Sequence, residues 1–365
     1  MAGNFRFVGK IELNKLDAKI PPYREGVTKN KAPYASFNMS VVADKSNRAY
    51  VETMGMKNDE IRTKDVDGND IVISWKDRED PEVLKKVAYY KKNIIELDGE
   101  RHEFVSGYDF VKFLIDNMDI IKDKEFIVRG QIKPNVYNGK VSLRYNFNNM
   151  VEVTNTDEIK HSLTINSVFY YGADDIDTAD WKASKTINVN AYTSQYFDKE
   201  TGNKYVSTPF VIDVSKANLD DEKIVKQLTF RLNQLGIALN NGDVKAKIKN
   251  KTIISLPIEC NYINGNEEVP FDESQLTPTQ KEAIELGINT IDDFKPKGSI
   301  YGQRITIFKY KSNTLTGDYS DGYKTEDITV DDFQDMVFKS ATTETKEDLN
   351  KKADTSDDEI DALFN

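Results

Sequence analysis

From Phe126 to Val151 the chain has no acidic side chain, although 61 of its 365 residues are Asp or Glu. The same stretch carries Arg129, Lys133, Lys140 and Arg144, interleaved with Tyr137, Tyr145 and Phe147. Side chains alternate between the two faces of a strand, so Arg129 and Gln131 share one face, as do Ser142, Arg144 and Asn146 across the turn. Cations beside aromatic rings suit a single strand of nucleic acid. Lysine and arginine meet phosphates, and each ring stacked on an unpaired base contributes about 1–3 kcal/mol. Arg129, Lys133, Tyr137, Lys140, Arg144 and Tyr145 are therefore candidate contacts, while Phe147 is expected in the core.

Other segments repeat the pattern. Arg6 and Lys10 fall on the polar face of an alternating stretch, and Tyr34, Arg48 and Tyr50 lie on the next two. Trp75 is either a stacking platform or a core anchor. In the second half Trp181, Lys185, Tyr192 and Tyr196 interleave in the same way, near Lys204 and Tyr205. Lys245, Lys247, Lys249 and Lys251 alternate strictly, as one strand face or a protected edge would.

Constellations for other chemistry are missing. The chain has no phosphate-binding glycine loop, no His-Glu-x-x-His and no nucleophile elbow. Asp65, Asp67 and Asp70 surround Gly68, but the glycine spacing of a calcium loop fails and a hairpin turn is expected. His102 with Glu100 and Glu103 lacks further metal partners. No cofactor and no metal are expected, and the chain reads as a non-enzyme. Its single cysteine, Cys260, permits no intrachain disulfide, which fits a reducing cytoplasm. No apolar window is long enough for a membrane span, so no membrane partner is expected.

Charge is unevenly distributed. The net charge is −11. Residues 331–365 hold eleven acidic and four basic side chains, while residues 1–48 hold nine basic and four acidic ones. Local potential, rather than the whole-chain balance, then decides which polyions can approach.

Periodicity supplies the elements that position these groups. Strands are predicted at 5–13, 35–42 and 48–54, and a helix at 109–118. A hairpin over 125–153 turns at Asn138-Gly139, the dipeptide a type I′ turn prefers. The order recurs: strands at 162–170, 186–196 and 205–214, a helix over 220–236, then strands at 244–248 and 252–262. Five strands with a helix before the last pair is the layout of an OB-fold. The expected fold is mainly β: two OB-fold-like barrels with inserted helices and a disordered acidic C-terminal tail. The expected domains are 1–155, with an insertion at about 57–105, then 156–312 with an added helix and strand, and 313–365 as linker and tail.

A basic, aromatic OB-type barrel followed by a linker and an acidic tail with an apolar tip resembles single-stranded-DNA-binding proteins, particularly those encoded by bacteriophages. The tail Asp357-Asp358-Glu359-Ile360-Asp361-Ala362-Leu363-Phe364 carries most of the likeness. The resemblance implies a protein of the host cytoplasm that coats intermediates of DNA replication, recombination and repair and recruits partner enzymes through its tail. Asp357, Asp358, Glu359 and Asp361 would dock on basic partners, with Ile360 and Leu363 beside them, and Phe364 would fill an apolar pocket. Bacterial members usually end in Pro-Phe; here Leu363 precedes Phe364 and Asn365 follows it. The alternative is a structural or assembly protein of a virus particle, which the acid-free hairpin fits less well.

Overall fold

The computed structural model describes residues 3–44, 47–154, 159–268, 276–290 and 301–339. The expected disordered acidic tail, and with it Asp357, Asp358, Glu359, Ile360, Asp361, Leu363 and Phe364, lies outside the described residues. Strand β1 (Asn4–Glu12) alternates as predicted: Phe5, Phe7 and Ile11 are buried, while Arg6 and Lys10 are exposed. β2 (Pro33–Val42) pairs antiparallel with β1 and with β3 (Arg48–Met56). Helix α1 (Gly107–Asp116) comes next, its first turn capped by Ser106, whose hydroxyl accepts from the Asp109 amide at 3.3 Å. The hairpin of β4 (Glu125–Tyr137) and β5 (Lys140–Glu152) completes the set.

β4 returns to β1, and β5 meets β3 in parallel at Asn146 and Glu52. Around the closed barrel the order is β1, β2, β3, β5, β4 and back to β1, with the helix between the third and fourth strands. That is the OB arrangement. Two glycines are needed for it. Gly139 (φ 70°) follows Asn138 (φ 49°) in the type I′ turn. At Gly55 a Cβ would stand 2.0 Å from the Tyr108 amide nitrogen, so only glycine lets α1 close against β3.

The order repeats. β6 (Ser162–Tyr171) pairs with β8 (Tyr192–Tyr196), which continues β7 (Thr186–Val189) after a break at Asn190-Ala191. β9 (Asn203–Ser207) and β10 (Phe210–Asp213) pair with β8 and β7, respectively. After helix α2 (Glu222–Gln234), β11 (Thr252–Glu268) pairs with β6 on one edge and with β12 (Tyr301–Asn313) on the other. β12 then meets β10 in parallel. The closing partner of β11 is thus β12, where the sequence pattern pointed to 244–248. Asp243–Ala246 instead forms a separate ribbon with Ile237–Asn240. Of the alternating lysines only Lys245 lies in that strand, and Lys251 turns the chain at φ 62°.

The expected linker also has structure at its start. β13 (Lys324–Thr329) pairs with β11, and helix α3 (Val330–Met336) buries Phe333 completely. Residues 57–105 form two hairpins around a small cluster of Ile73, Val87 and Val105, and Asn93–Leu97 extends the edge of β5 in parallel. Asp65 accepts from the amides of Asp67 and Asn69 at 3.0 and 2.8 Å, so it organises a hairpin turn.

The two barrels share β1. One edge of β1 runs along β4 from Asn4 to Lys10. The other edge serves β6 from Asn4 to Val8 and then β2 from Lys10 to Glu12. The inner face is correspondingly continuous: Phe7 meets Tyr145 at 5.1 Å and Tyr262 of β11 at 5.9 Å, and Tyr145 meets Tyr262 at 5.2 Å. Phe7→Ala is therefore expected to cost about 3–5 kcal/mol. In a Trp75→Phe background, where Trp181 is the remaining tryptophan, urea transitions followed by far-UV circular dichroism and by fluorescence should coincide. Two separated transitions would show that each barrel stands alone.

Candidate nucleic-acid interface

The outward face of the β4–β5 hairpin is set by register. Arg129 opposes Asn149, Gln131 opposes Asn146, Lys133 opposes Arg144, Asn135 opposes Ser142, and Tyr137 opposes Lys140. Opposed residues of an antiparallel pair project from the same side, so this face holds no carboxylate. Arg129, Gln131, Lys133, Tyr137 and Lys140 are exposed and Arg144 is half-buried.

The face continues across β1 into the second barrel. Asn4 opposes Gln131 on one side and Asn166 of β6 on the other, and Asn166 opposes Glu259 of β11. With Asn146 and Glu52 this makes one row over six strands, spanning about 24 Å at the usual strand spacing. The neighbouring row brings Arg6 opposite both Arg129 and Thr164. Arg129 donates to Asn149 Oδ1 at 3.2 Å, and neither guanidinium forms an ion pair among the described residues. Burial and the neighbouring Arg129 lower the Arg6 pKa, opposed by Glu259. Two like charges directly across a strand pair destabilise the sheet. An incoming anion would relieve that repulsion.

Three basic candidates already have partners: Lys10 with Asp123 at 3.0 Å, Arg48 with Glu12 at 3.1 Å and Arg144 with Glu52 at 3.3 Å. These pairs are part-exposed, and such pairs contribute roughly 0–1 kcal/mol, little enough for a phosphate to replace the carboxylate. Tyr50 stands exposed on β3 beside this group, and Tyr137 stands exposed at the hairpin tip.

Other candidates belong to the interior. Tyr145 is buried against Phe5, Phe7 and Tyr262, and burial raises its pKa well above the ordinary phenol value. Its parity on β5 matches that of Phe147, not Arg144. Trp181 is 2% exposed and donates its indole N–H to the Gly242 carbonyl at 2.7 Å, so it anchors the ribbon after α2. Tyr34 is buried, with its ring against Gly26 of the Tyr23–Val27 strand: a Cβ at Gly26 would stand 2.7 Å from it. None of the three offers a face to a base. Trp75 already carries the Arg78 guanidinium at 4.2 Å over its ring and the Tyr108 edge at 6.1 Å, which ties the insertion to α1. Lys185 (φ 57°) ends the short helix of Trp181 and lies 5.3 Å from that indole.

On β8, Tyr196 is exposed, whereas Tyr192 is half-buried against Phe333 of α3 at 5.4 Å. Alternation along the hairpin already put Gln131 and Asn146 on this face; Asn4 and Asn166 are contributors that it does not pick out, because only pairing between distant strands lines them up with these two. No cluster of acidic, histidine or cysteine side chains able to hold a metal occurs among the described residues. No helix among them is long and apolar enough to cross a membrane.

Arg6→Glu or Arg129→Glu is expected to lower retention on heparin while leaving the melting temperature within a few degrees, since both side chains face solvent. Tyr145→Ala or Trp181→Ala should do the reverse, costing about 3–5 kcal/mol of stability through lost packing. Heparin elution and thermal melts on all four variants separate the two groups.

No protein-family model and no curated protein matches the chain. Among solved structures it is similar to the single-stranded DNA binding protein from Thermus aquaticus. A deletion mutant of that protein matches with a TM-score of 0.29 and 8% identity, over 72% of this chain and 87% of the other. The wild-type protein matches with a TM-score of 0.28 and 8% identity, over 72% of this chain and 85% of the other.

Proposed function

We propose that the chain is a non-enzymatic, sequence-tolerant binder of single-stranded DNA. The observation that carries this is the outward face of β4, β5, β1 and β6, where Arg6 and Arg129 stand opposite each other without a carboxylate and amides fill the adjoining row. Guanidinium groups take the phosphates, the amides offer donors and acceptors to sugar and base edges, and Tyr50 and Tyr137 supply rings for stacking. Lys10, Lys133, Lys140, Arg48 and Arg144 broaden the charged track, and Tyr196 extends it on the second barrel.

Two OB-like units, over residues 1–155 and 156–312, would each meet a part of the strand. A protein of this kind coats replication, recombination and repair intermediates, in host cytoplasm if it is of the bacteriophage type. The acidic tail would recruit partner enzymes: Asp357, Asp358, Glu359 and Asp361 as charges for a basic groove, Ile360, Leu363 and Phe364 as the apolar anchor.

Labelled oligo-dT followed by fluorescence anisotropy should bind tightly, and duplex of the same length weakly. The logarithm of affinity should fall with the logarithm of salt at about −0.7 per phosphate neutralised. The Arg129→Glu variant should show a shallower slope by roughly one phosphate. Deleting 354–365 should leave affinity unchanged or higher. Equal affinity for duplex, or a salt slope near zero, would refute the proposal.

A further inference from the structure

The outward face does not end at Asn166. Four residues further along β6, on the same side of the sheet, stands Tyr170, about 13 Å away at the usual strand rise. Tyr170 opposes Tyr192 of β8, and Tyr205 of β9 opposes Ser194 on the same face. The three tyrosines are arranged around one ring that belongs to the same chain. Phe333 of α3 lies 4.4 Å from Tyr205, 5.4 Å from Tyr192 and 6.5 Å from Tyr170, and it is completely buried. A second ring follows: Phe338 stacks on Phe197 at 5.0 Å, with their planes 2° apart. The Phe338 amide donates to the Tyr205 carbonyl at 2.8 Å.

These strands are the first three of an OB barrel, and the outer face of the second and third is where that fold receives an oligonucleotide. The segment seated there combines spaced rings with acidic groups. Asp331, Asp332 and Asp335 are on α3, and Glu326 of β13 accepts from the Ser255 hydroxyl of β11. Rings on tyrosines with negative charges between them are the features a single strand would bring. The hold is made of a few local contacts: β13 pairs with β11 at Thr252, Ile254 and Ser255, with a register break, Glu326 accepts from Ser255, Phe333 is the one buried residue of α3, Val337 bridges to Tyr205, and Phe338 stacks on Phe197.

We propose that Tyr170, Tyr192 and Tyr205 form a second base-stacking site for single-stranded DNA, continuous with the Arg6–Arg129 face, which the chain's own residues 324–339 occupy until a strand displaces them. The proposal rests on the single-strand function above and adds to it a site and its resident occupant. A strand that reaches past Asn166 exchanges Phe333 for a base on the same tyrosines, and α3 leaves the sheet.

The test uses the full-length chain and labelled oligo-dT. Phe333→Ala should tighten binding by roughly 5- to 150-fold, the range that stacking of one base supplies, and should lengthen the stretch of strand covered. Adding Tyr192→Ala to that variant should remove the gain. In the wild-type chain, amide exchange at Val337 and Phe338 should accelerate when oligo-dT is added, a readout that needs no variant to fold. Unchanged or slower exchange, or a gain that survives Tyr192→Ala, would overturn the site while wild-type binding that depends on Arg129 leaves the hairpin face standing. Absence of oligo-dT binding by wild type and variant alike would overturn both.

Discussion

The double use of one edge of β1 is the constraint on which the structure depends. A strand has two edges, and a barrel normally needs both for its own closure. Here β1 gives one edge to β4 and divides the other between β6 and β2. Nine residues can do this because their parity is strict: the phenylalanines and Ile11 fall inward along the whole length, so neither neighbour meets a polar residue on the core side. A one-residue slip would turn Phe5 and Phe7 to solvent and bring Arg6 inside, damaging both barrels together. The aromatic contacts of Phe7, Tyr145 and Tyr262 follow from this pairing, since they are inward residues of strands that β1 holds in one sheet.

The same pairing organises the outside. Fixing β4, β1 and β6 in register places amides on one row and arginines on the next, whatever their order in the chain. Whole-chain charge then misleads. The net of −11 is an average over a chain whose acid is concentrated near its end, while the hairpin face carries none. Arg6 opposite Arg129 works against sheet stability, and a fold optimised for stability alone would pair one of them with a carboxylate. Glu259 is near enough to act on Arg6 electrostatically yet is engaged by Lys311 at 2.8 Å and Ser312 at 3.0 Å. The repulsion is therefore left in place, which suits a surface that meets an anion from outside.

What the sequence disclosed follows the range of the interactions involved. Local patterns were sufficient for β1, the Asn138-Gly139 turn, α1 and α2, because alternation, turn chemistry and helical spacing are short-range signals. The five-strand order with its intervening helix was legible in the first copy for the same reason, and in the second copy except for the strand that closes it. Pairing across long gaps was not. The true partner of β11 lies beyond an inserted helix and a long connection, and the alternating lysines from Lys245 imitated a strand closer at hand. Aromatic residues were the other weak point. Tyr145 and Tyr137 look alike in a basic hairpin, but parity relative to Phe147 sends one to the core. Trp181 reads as a stacking candidate because it interleaves with lysine and tyrosine; its indole N–H instead finds a carbonyl on a ribbon 61 residues away, which no local pattern encodes.

A shared sheet has consequences that two barrels on a tether would not. On a flexible linker, the second site sees a strand held by the first at an effective concentration set by linker length, and ordering the linker costs entropy on binding. Here β6 itself connects the arginine row to the three tyrosines, so their separation is a property of strand geometry and costs nothing to organise. Such preorganisation carries its own hazard. A permanently open strip of tyrosines continuous with a basic face would be an exposed apolar patch, prone to association with other chains. An internal aromatic ring on those tyrosines removes the patch while leaving it recoverable, provided that the segment bringing it is held by few contacts. A seven-residue helix with one buried side chain, flanked by a strand of three paired positions before it and by the Val337 bridge and the Phe338 stack after it, meets that condition. The pairing of β1 and the docking of α3 are then complementary parts of the proposed arrangement: the first fixes where a strand would lie, and the second would decide how far along it the protein reaches.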